Sequence, residues 1–203
     1  KAAKARAEGW FEPEITPVVV PPAHRKAQEI TFTKDETIRE GTTVEKLAKL
    51  PGAFKKGGQV TAGNACGMSD GATALVVTTR EKAEAEGWPV QFSIVSHATA
   101  SNEPATMGEG PGFSIPLALE RAGMTLADMD AYEINEAFAA QILTNKRQLD
   151  LDMDKLNMHG GAIALGHPTG ISGARILVTL DGVLRRIGGE FGVASICGAG
   201  GMT

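Results

Sequence analysis

Cysteine is scarce: Cys66 and Cys197 are the only two in 203 residues. Two thiols make no disulfide framework, and a reducing compartment is the expected setting. Histidine is sparse as well. His24, His97, His159 and His167 fall into no CxxC or HExxH pattern, so the common zinc signatures are absent. No run of 18 apolar residues occurs, which predicts no membrane-spanning helix. There is no basic excess, with 20 Lys+Arg against 24 Asp+Glu and a net charge of −4, so nothing supports a nucleic-acid footprint. Neither a phosphate loop ending in Gly-Lys-Ser/Thr nor a GxGxxG dinucleotide fingerprint is found. The start, Lys1-Ala2-Ala3-Lys4-Ala5-Arg6, lacks the apolar core of a signal peptide. No initiating Met is present and the sequence stops at Met202-Thr203, which reads as a piece of a longer chain.

What the sequence has in excess is glycine, 25 in 203 residues, against roughly 7 % in ordinary proteins. The glycines cluster without a period, which marks special backbone sites and excludes collagen. Otherwise 42 % hydrophobic and 22 % charged residues describe ordinary globular material.

Residues 1 to 58 read as irregular. Pro13, Pro17, Pro21 and Pro22 break up Val18-Val19-Val20, and Thr42 or Thr43 can cap a short helix over Glu45 to Leu50 that Pro51 stops. Such a segment suits an insertion or lid that buries little by itself. Strands are predicted over Gln59 to Ala62, Thr73 to Thr79, Val90 to His97, Ala131 to Ile134 and Glu190 to Ile196. Helices are predicted after a cap at Ser69 or Asp70, and over Arg80 to Glu86, Ser114 to Ala122 and Glu136 to Gln148. The clearest element is a helix from Ser172 to Ile187, where Ile176, Leu177, Leu180, Val183, Leu184 and Ile187 recur at three- and four-residue steps. Strands alternating with helices predict an α/β fold.

Three loops follow predicted strands, where open α/β sheets build their sites: Asn135-Glu136-Ala137-Phe138, Gly160 to Pro168, and Cys197-Gly198-Ala199-Gly200-Gly201. His167 sits among five glycines in fourteen residues and leads into the strong helix. A helix N-terminus favours neutral imidazole and bound anions, and neutral imidazole can take a proton from a thiol. The alternative is a histidine packed at a loop–helix junction. Cys197 precedes a glycine turn whose N–H groups can converge on an oxyanion, so it reads as a nucleophile, a base or a small buried hydrophobe. Cys66 has a weaker claim of the same kind. Asn135 either caps the following helix or holds a water or a substrate carbonyl. Asp70, Glu103 and Glu109 form no glycosidase-like carboxylate pair.

Taken together, Asn135-Glu136-Ala137-Phe138-Ala139, Gly160 to Arg175 (GGAIALGHPTGISGAR) and Cys197-Gly198-Ala199-Gly200-Gly201-Met202 resemble the C-terminal half of a thiolase. Thr61-Ala62-Gly63-Asn64-Ala65 and Met107-Gly108-x-Gly110-Pro111 resemble it too, and the order agrees over roughly residues 12 to 203. Asn135-Glu136 separates the chain from sterol-carrier-like thiolases and from ketoacyl synthases working on acyl-carrier protein. The resemblance implies a five-layer α-β-α-β-α fold, here its C-terminal portion with a preceding loop-domain segment. Residues 1–66 would end the loop domain, 67–89 would end the N-terminal half, and 90–203 would form the C-terminal half.

The implied reaction is ping-pong acyl transfer: thiolytic cleavage of a 3-ketoacyl-CoA to acetyl-CoA and acyl-CoA, or the reverse condensation of two acetyl-CoA. The nucleophilic cysteine would lie outside these residues, since neither Cys66 nor Cys197 matches its context, and the segment alone would be inactive. By the resemblance, His167 activates that thiol, Cys197 moves the α-proton, Asn135 positions an oxyanion-hole water, and the N–H of Ala199 is a second oxyanion donor. Phe138 and Met107 wall the thioester pocket, and Cys66, where many members carry serine, and Ala62 line the pantetheine arm. Ala199 stands where glycine is common, and a positive φ there would cost about 1 kcal/mol or more. A thiol titrating near 8 would suit a base at neutral pH. No cofactor is implied, with CoA and acyl-CoA as substrates. Partners would be the missing N-terminal half, in the same polypeptide or a companion chain, and further copies in a homodimer or tetramer. The setting would be cytoplasmic, or a mitochondrial or peroxisomal matrix in a eukaryote. The competing readings are a catalytically silent scaffold subunit and a ketoacyl synthase working on acyl-carrier protein, which Asn135-Glu136 disfavours.

Overall fold

A computed structural model describes residues 1–22, 24 and 26–203. Its centre is a parallel pair of short strands, β3 (Ala131–Ile134) and β4 (Gly192–Ser195), in register Ala131–Gly192 through Ile134–Ser195. Successive strand residues point to opposite faces, and each face of this pair is covered by helix. On one side Tyr132, Ile134 and Val193 pack with Ile115 and Leu119 of α4 (Pro111–Ala122) and Ile142 of α5 (Ala139–Leu149). On the other, Ala131 and Ala194 pack with Leu180, Val183 and Leu184 of α7 (Ser172–Ile187). The result is a three-layer α-β-α unit. The expected five layers do not form among the described residues, whose strands make two two-stranded sheets.

The second sheet is the antiparallel pair β1 (Val18–Val20) and β2 (Ile30–Phe32), exposed throughout. Thr43 caps α2 (Val44–Leu47) by accepting from Lys46 N–H, and Thr79 caps α3 (Arg80–Ala85) through Lys82 N–H. The stretches 73–79 and 90–97 form no strand and pair with none among the described residues. Their β-branched residues stay in solvent, with Val76 86 % and Val77 78 % exposed. A cleft of about 870 Å³ separates residues 91–98 from β4, walled by α4 and α7. No helix follows Ser69 or Asp70, and Gln59 to Ala62 forms a turn region rather than a strand.

The N-terminal residues are more ordered than the prolines suggested. Ala2 and Ala5 of α1 (Ala2–Ala7) pack with Phe11 and Ile38 into a second core, against which Ala164 and Leu165 rest. Trp10 and Phe11 bracket the buried His159, at ring-centroid distances of 5.2 and 5.7 Å. Arg186 stacks on Trp10 at 3.9 Å and donates from Nε to His159 Nε2 at 2.9 Å. Residues 1–15 therefore close the back of the unit, and that segment is no loosely draped lid.

Ile115 is 1 % exposed and Phe113, two residues earlier, 46 %. Truncating Ile115 to Ala is expected to cost about 2–5 kcal/mol, and Phe113→Ala to stay within about 0.5 kcal/mol. Urea denaturation of the two variants measures the difference.

Candidate active site

Asn135 follows β3 directly and is 1 % exposed. Its N–H donates to Ser195 O at 3.0 Å, which extends the parallel ladder by one rung and fixes the residue at the carboxyl edge of the sheet. Its side-chain Nδ2 lies 3.5 Å from His167 Nε2. Residues 32 apart in sequence are thus joined by the first predicted contact, amide to imidazole.

His167 is held on its other nitrogen. Nδ1 is 2.6 Å from Ser172 Oγ, and that hydroxyl also lies 3.1 Å from Pro168 O, which has only lone pairs to offer. The serine proton goes to the carbonyl, so Nδ1 carries the hydrogen that Ser172 accepts. Nε2 is left as a lone pair facing the Asn135 amide. Burial, and then the charge of Arg175, push the imidazole below its ordinary value, which keeps this lone pair free at neutral pH. The loop reaches this position through Gly166, whose φ of +87° is a left-handed conformation and whose missing Cβ would strike Ser69.

The 65–68 segment threads between the two loops. Cys66 N–H donates to Ala137 O at 3.0 Å, Ala65 bridges Phe138, and His167 N–H donates to Gly67 O at 2.9 Å. Cys66 is therefore part of the site wall. Phe138 meets Phe54 edge-on at 5.9 Å, an apolar contact that brings residue 54 to the same rim. Met107 is half-buried in a 3₁₀ turn, Pro104–Glu109. It is joined to the Asn135 loop by a buried amide relay in which Ala137 N–H donates to Gln141 Oε1, Gln141 Nε2 to Asn145 Oδ1, and Asn145 Nδ2 to Gly108 O.

Cys197 is 5 % exposed, two residues beyond β4. Since β3 and β4 are parallel and in register, it comes off the same sheet edge as Asn135 and Glu136. Burial raises its thiol, and so does the nearby Cys66; Cys66 is itself raised, chiefly by burial. The expected thiol titrating near 8 is thus corrected upward. The turn after Cys197 closes through Gly198 N–H to Met202 O at 2.6 Å. Its positive φ values fall on Gly200 and Gly201, at 85° and 80°. Ala199 has no positive φ, so an alanine there costs no backbone strain. Ala199 and Ala62 both sit in exposed turns, the latter closed by Asn64 Oδ1 accepting from Thr61 N–H at 2.7 Å. No hydrogen bond links either to the amide–imidazole pair.

Three groups that sequence reasoning missed build the site. Asn157, in the left-handed region at φ 44°, acts as a substitute strand for β3: Oδ1 accepts from Ile134 N–H and Nδ2 donates to Ile134 O, each at 2.9 Å. Nδ2 also reaches Glu136 Oε1 at 3.1 Å. The other Glu136 oxygen accepts from Ile163 N–H at 3.2 Å, at the start of α6 (Ala162–Leu165). Gln141 and Asn145 form the relay described above. The spacing of Gln141 and Asn145, one turn apart on α5, was the available signal.

Family comparison agrees with the geometry. Residues 88–203 match the model described as thiolase, C-terminal domain, and residues 1–81 match thiolase, N-terminal domain. All of the chain is 49 % identical to an acetyl-CoA acetyltransferase of Pseudomonas aeruginosa and 47 % identical to the human peroxisomal 3-ketoacyl-CoA thiolase, covering 51 % and 48 % of those proteins. Crystal structures of the Bacillus anthracis acetyl-CoA acetyltransferase and the human mitochondrial 3-ketoacyl-CoA thiolase superpose on 99 % of the chain, each at a TM-score of 0.94 and over 50 % of their own length, with 45 % and 44 % identity. The chain spans about half the length of the curated relatives it matches. Two expectations are corrected. Residues ahead of the C-terminal half are not merely a loop-domain segment, since the N-terminal-domain model matches 1–81. Nor is that domain absent or lodged in a companion chain: it is matched in this same polypeptide, where Phe11 and α1 pack directly on α6. With both domain models matched along its length, the chain belongs to the thiolase family.

Proposed function

We propose that the protein to which these residues belong is a CoA-dependent acyltransferase. It would cleave a 3-ketoacyl-CoA to acetyl-CoA and a shortened acyl-CoA, or condense two acetyl-CoA in reverse. The observation that carries this reading is the His167 Nε2 lone pair, fixed between Ser172 and Asn135, in a loop whose backbone N–H binds Gly67, the residue after Cys66. In cleavage, an acyl-accepting thiol loses its proton to the imidazole and attacks the 3-keto carbon. The C2–C3 bond breaks, and the acetyl-CoA enolate takes a proton at C2. CoA thiol then attacks the acyl-enzyme thioester and releases acyl-CoA.

Each residue has one task in that scheme. His167 Nε2 accepts the proton, and its Nδ1–H stays on Ser172. Asn135 positions a water that faces the oxyanion, and each oxyanion donor can contribute about 2.7–4 kcal/mol. Cys197, kept protonated by burial, is the acid for the enolate, which is the form the cleavage direction requires at the start. Neither Cys66 nor Cys197 is assigned as acyl acceptor, since burial disfavours both thiolates. Cys66, Phe138, Met107 and Ala62 line the approach of the pantetheine arm, and Ala199 supplies an N–H. The two free thiols suit a reducing aqueous compartment, the cytoplasm or a peroxisomal or mitochondrial matrix.

The test uses a chimera in which these residues replace their counterparts in the Pseudomonas aeruginosa enzyme, followed by thiolysis of acetoacetyl-CoA. The chimera is expected to turn over, His167→Ala to lower kcat by about 10²–10⁴, and Asn135→Ala by about 10²–10³. Unchanged turnover in His167→Ala would remove the reading. The acid limb of the pH–rate profile is expected below the ordinary imidazole value of about 6.5, in line with the depressed His167. Iodoacetamide labelling against pH provides an independent check. Both thiols are expected to half-react above about 8.5, with Cys66 faster because it is the less buried.

A further inference from the structure

One buried carboxyl and the guanidinium beside it have no part in the scheme above. Glu133 lies on β3, 1 % exposed, on the face turned toward α7; Arg175 Nη1 on α7 is 3.9 Å from Glu133 Oε2. Both Glu133 oxygens and Arg175 Nη1 are buried without a hydrogen-bond partner among the described residues. A carboxyl and a guanidinium held 3.9 Å apart without a hydrogen bond do not recover the cost of their burial. Stability therefore does not account for it.

Placement does. Glu133 stands two residues before Asn135, and Arg175 one helical turn after Ser172. Asn135 and Ser172 are the residues on opposite nitrogens of His167. The contacts close a circuit: imidazole Nδ1 to Ser172, along α7 to Arg175, across to Glu133, along β3 to Asn135, and back to imidazole Nε2. We propose that Glu133 and Arg175 are positioning residues that lock β3 to the first turns of α7, so that Asn135 and Ser172 hold the His167 ring from both sides with its Nε2 unprotonated. This rests on His167 being the base of the acyl-transfer reading.

The charges around the pair set its behaviour. Glu133 is pushed up to about 8 by burial, against the lowering by Arg175; Glu136 and Glu14 raise it further and Lys1 lowers it. Arg175 also faces Asp35, which burial raises. Below neutrality Glu133 is therefore uncharged. The guanidinium then acts undiminished on His167, whose own value burial and Arg175 lower. Above about 8 the carboxylate forms and offsets that charge.

The experiment is an NMR titration of the His167 ring Cε1–Hε1 signal in the 203-residue chain, assigned through H167Q. The parent is expected to titrate below the ordinary imidazole value of about 6.5, with a second, smaller inflection near pH 8 as Glu133 ionises. R175M is expected to titrate closer to about 6.5 and to lose the second inflection, whereas R175K keeps the depressed titration. E133Q keeps the depressed titration and loses only the second inflection. An R175M ring that titrates where the parent does, in a chain with a native-like amide spectrum, would overturn the proposal. So would a parent with no inflection near pH 8. If R175M fails to fold, the parent and E133Q decide. None of these readouts needs turnover: an inactive chimera with these titrations intact would discard the acyl-transfer reading and leave the positioning pair standing.

Discussion

Ser172 has a single hydroxyl proton, and the Pro168 carbonyl takes it. That constraint determines the chemistry of the site. With its proton committed, Ser172 can only accept from the imidazole, so His167 keeps its hydrogen on Nδ1 and leaves Nε2 bare. If the carbonyl were elsewhere, the same hydroxyl could donate to Nδ1 and reverse the tautomer. The bare nitrogen would then face the helix, away from the Asn135 amide. The first turn of α7 thus fixes the protonation pattern as well as the place of the ring. Ser172 is fully buried, so no water competes for the bond.

The sheet around this ring is small: four residues in each of β3 and β4. So short a ladder makes few backbone hydrogen bonds and cannot alone hold three loops from distant sequence in one geometry. Buried amides make up the difference. Asn157 serves β3 as a backbone surrogate with both its donor and its acceptor. Gln141 and Asn145 carry the position of the Asn135 loop across to Gly108. Burying such groups is unfavourable unless they are paired, and a chain of paired amides has one low-energy arrangement where an apolar contact has several. The geometric precision of the site therefore rests on polar side chains.

This division explains what could be read from the sequence. The helix Ser172–Ile187 and the strand Ala131–Ile134 match expectation to the residue, the helix because its apolar residues recur on one face and the strand because all four of its residues are buried. α5 starts at Ala139, three residues later than predicted, because Asn135 to Phe138 are drawn into the site and Ala137 N–H is spent on Gln141. Residues 73–79 and 90–97 have strand composition, yet pairing needs a neighbour and composition does not reveal one. α1 was missed because Ala2 and Ala5 bury little area each, and their burial depends on Phe11 and Ile38 further along. The loops of His167 and Cys197 stood out for their glycines, and Asn135 for its place at the end of a predicted strand. Asn157, Gln141 and Asn145 did not, because a polar residue on a helix or in a loop is ordinarily a solvated one.

A second histidine sets off the proposed base from a structural ring. His159 accepts from Arg186 Nε at its Nε2, so its hydrogen sits on Nδ1, toward Glu14 Oε1 at 3.7 Å. The proton arrangement is the one found at His167, though His159 is buried and His167 only half-buried. The difference lies in what faces the bare nitrogen. At His159 it is a guanidinium that stacks on Trp10 and cannot give up its proton, so the lone pair is permanently occupied. At His167 it is a neutral amide at 3.5 Å, a weak contact. His159 fixes the start of the Gly160-Gly161 loop against α1, and His167, seven residues after Gly160, keeps a lone pair opposed only by a neutral amide.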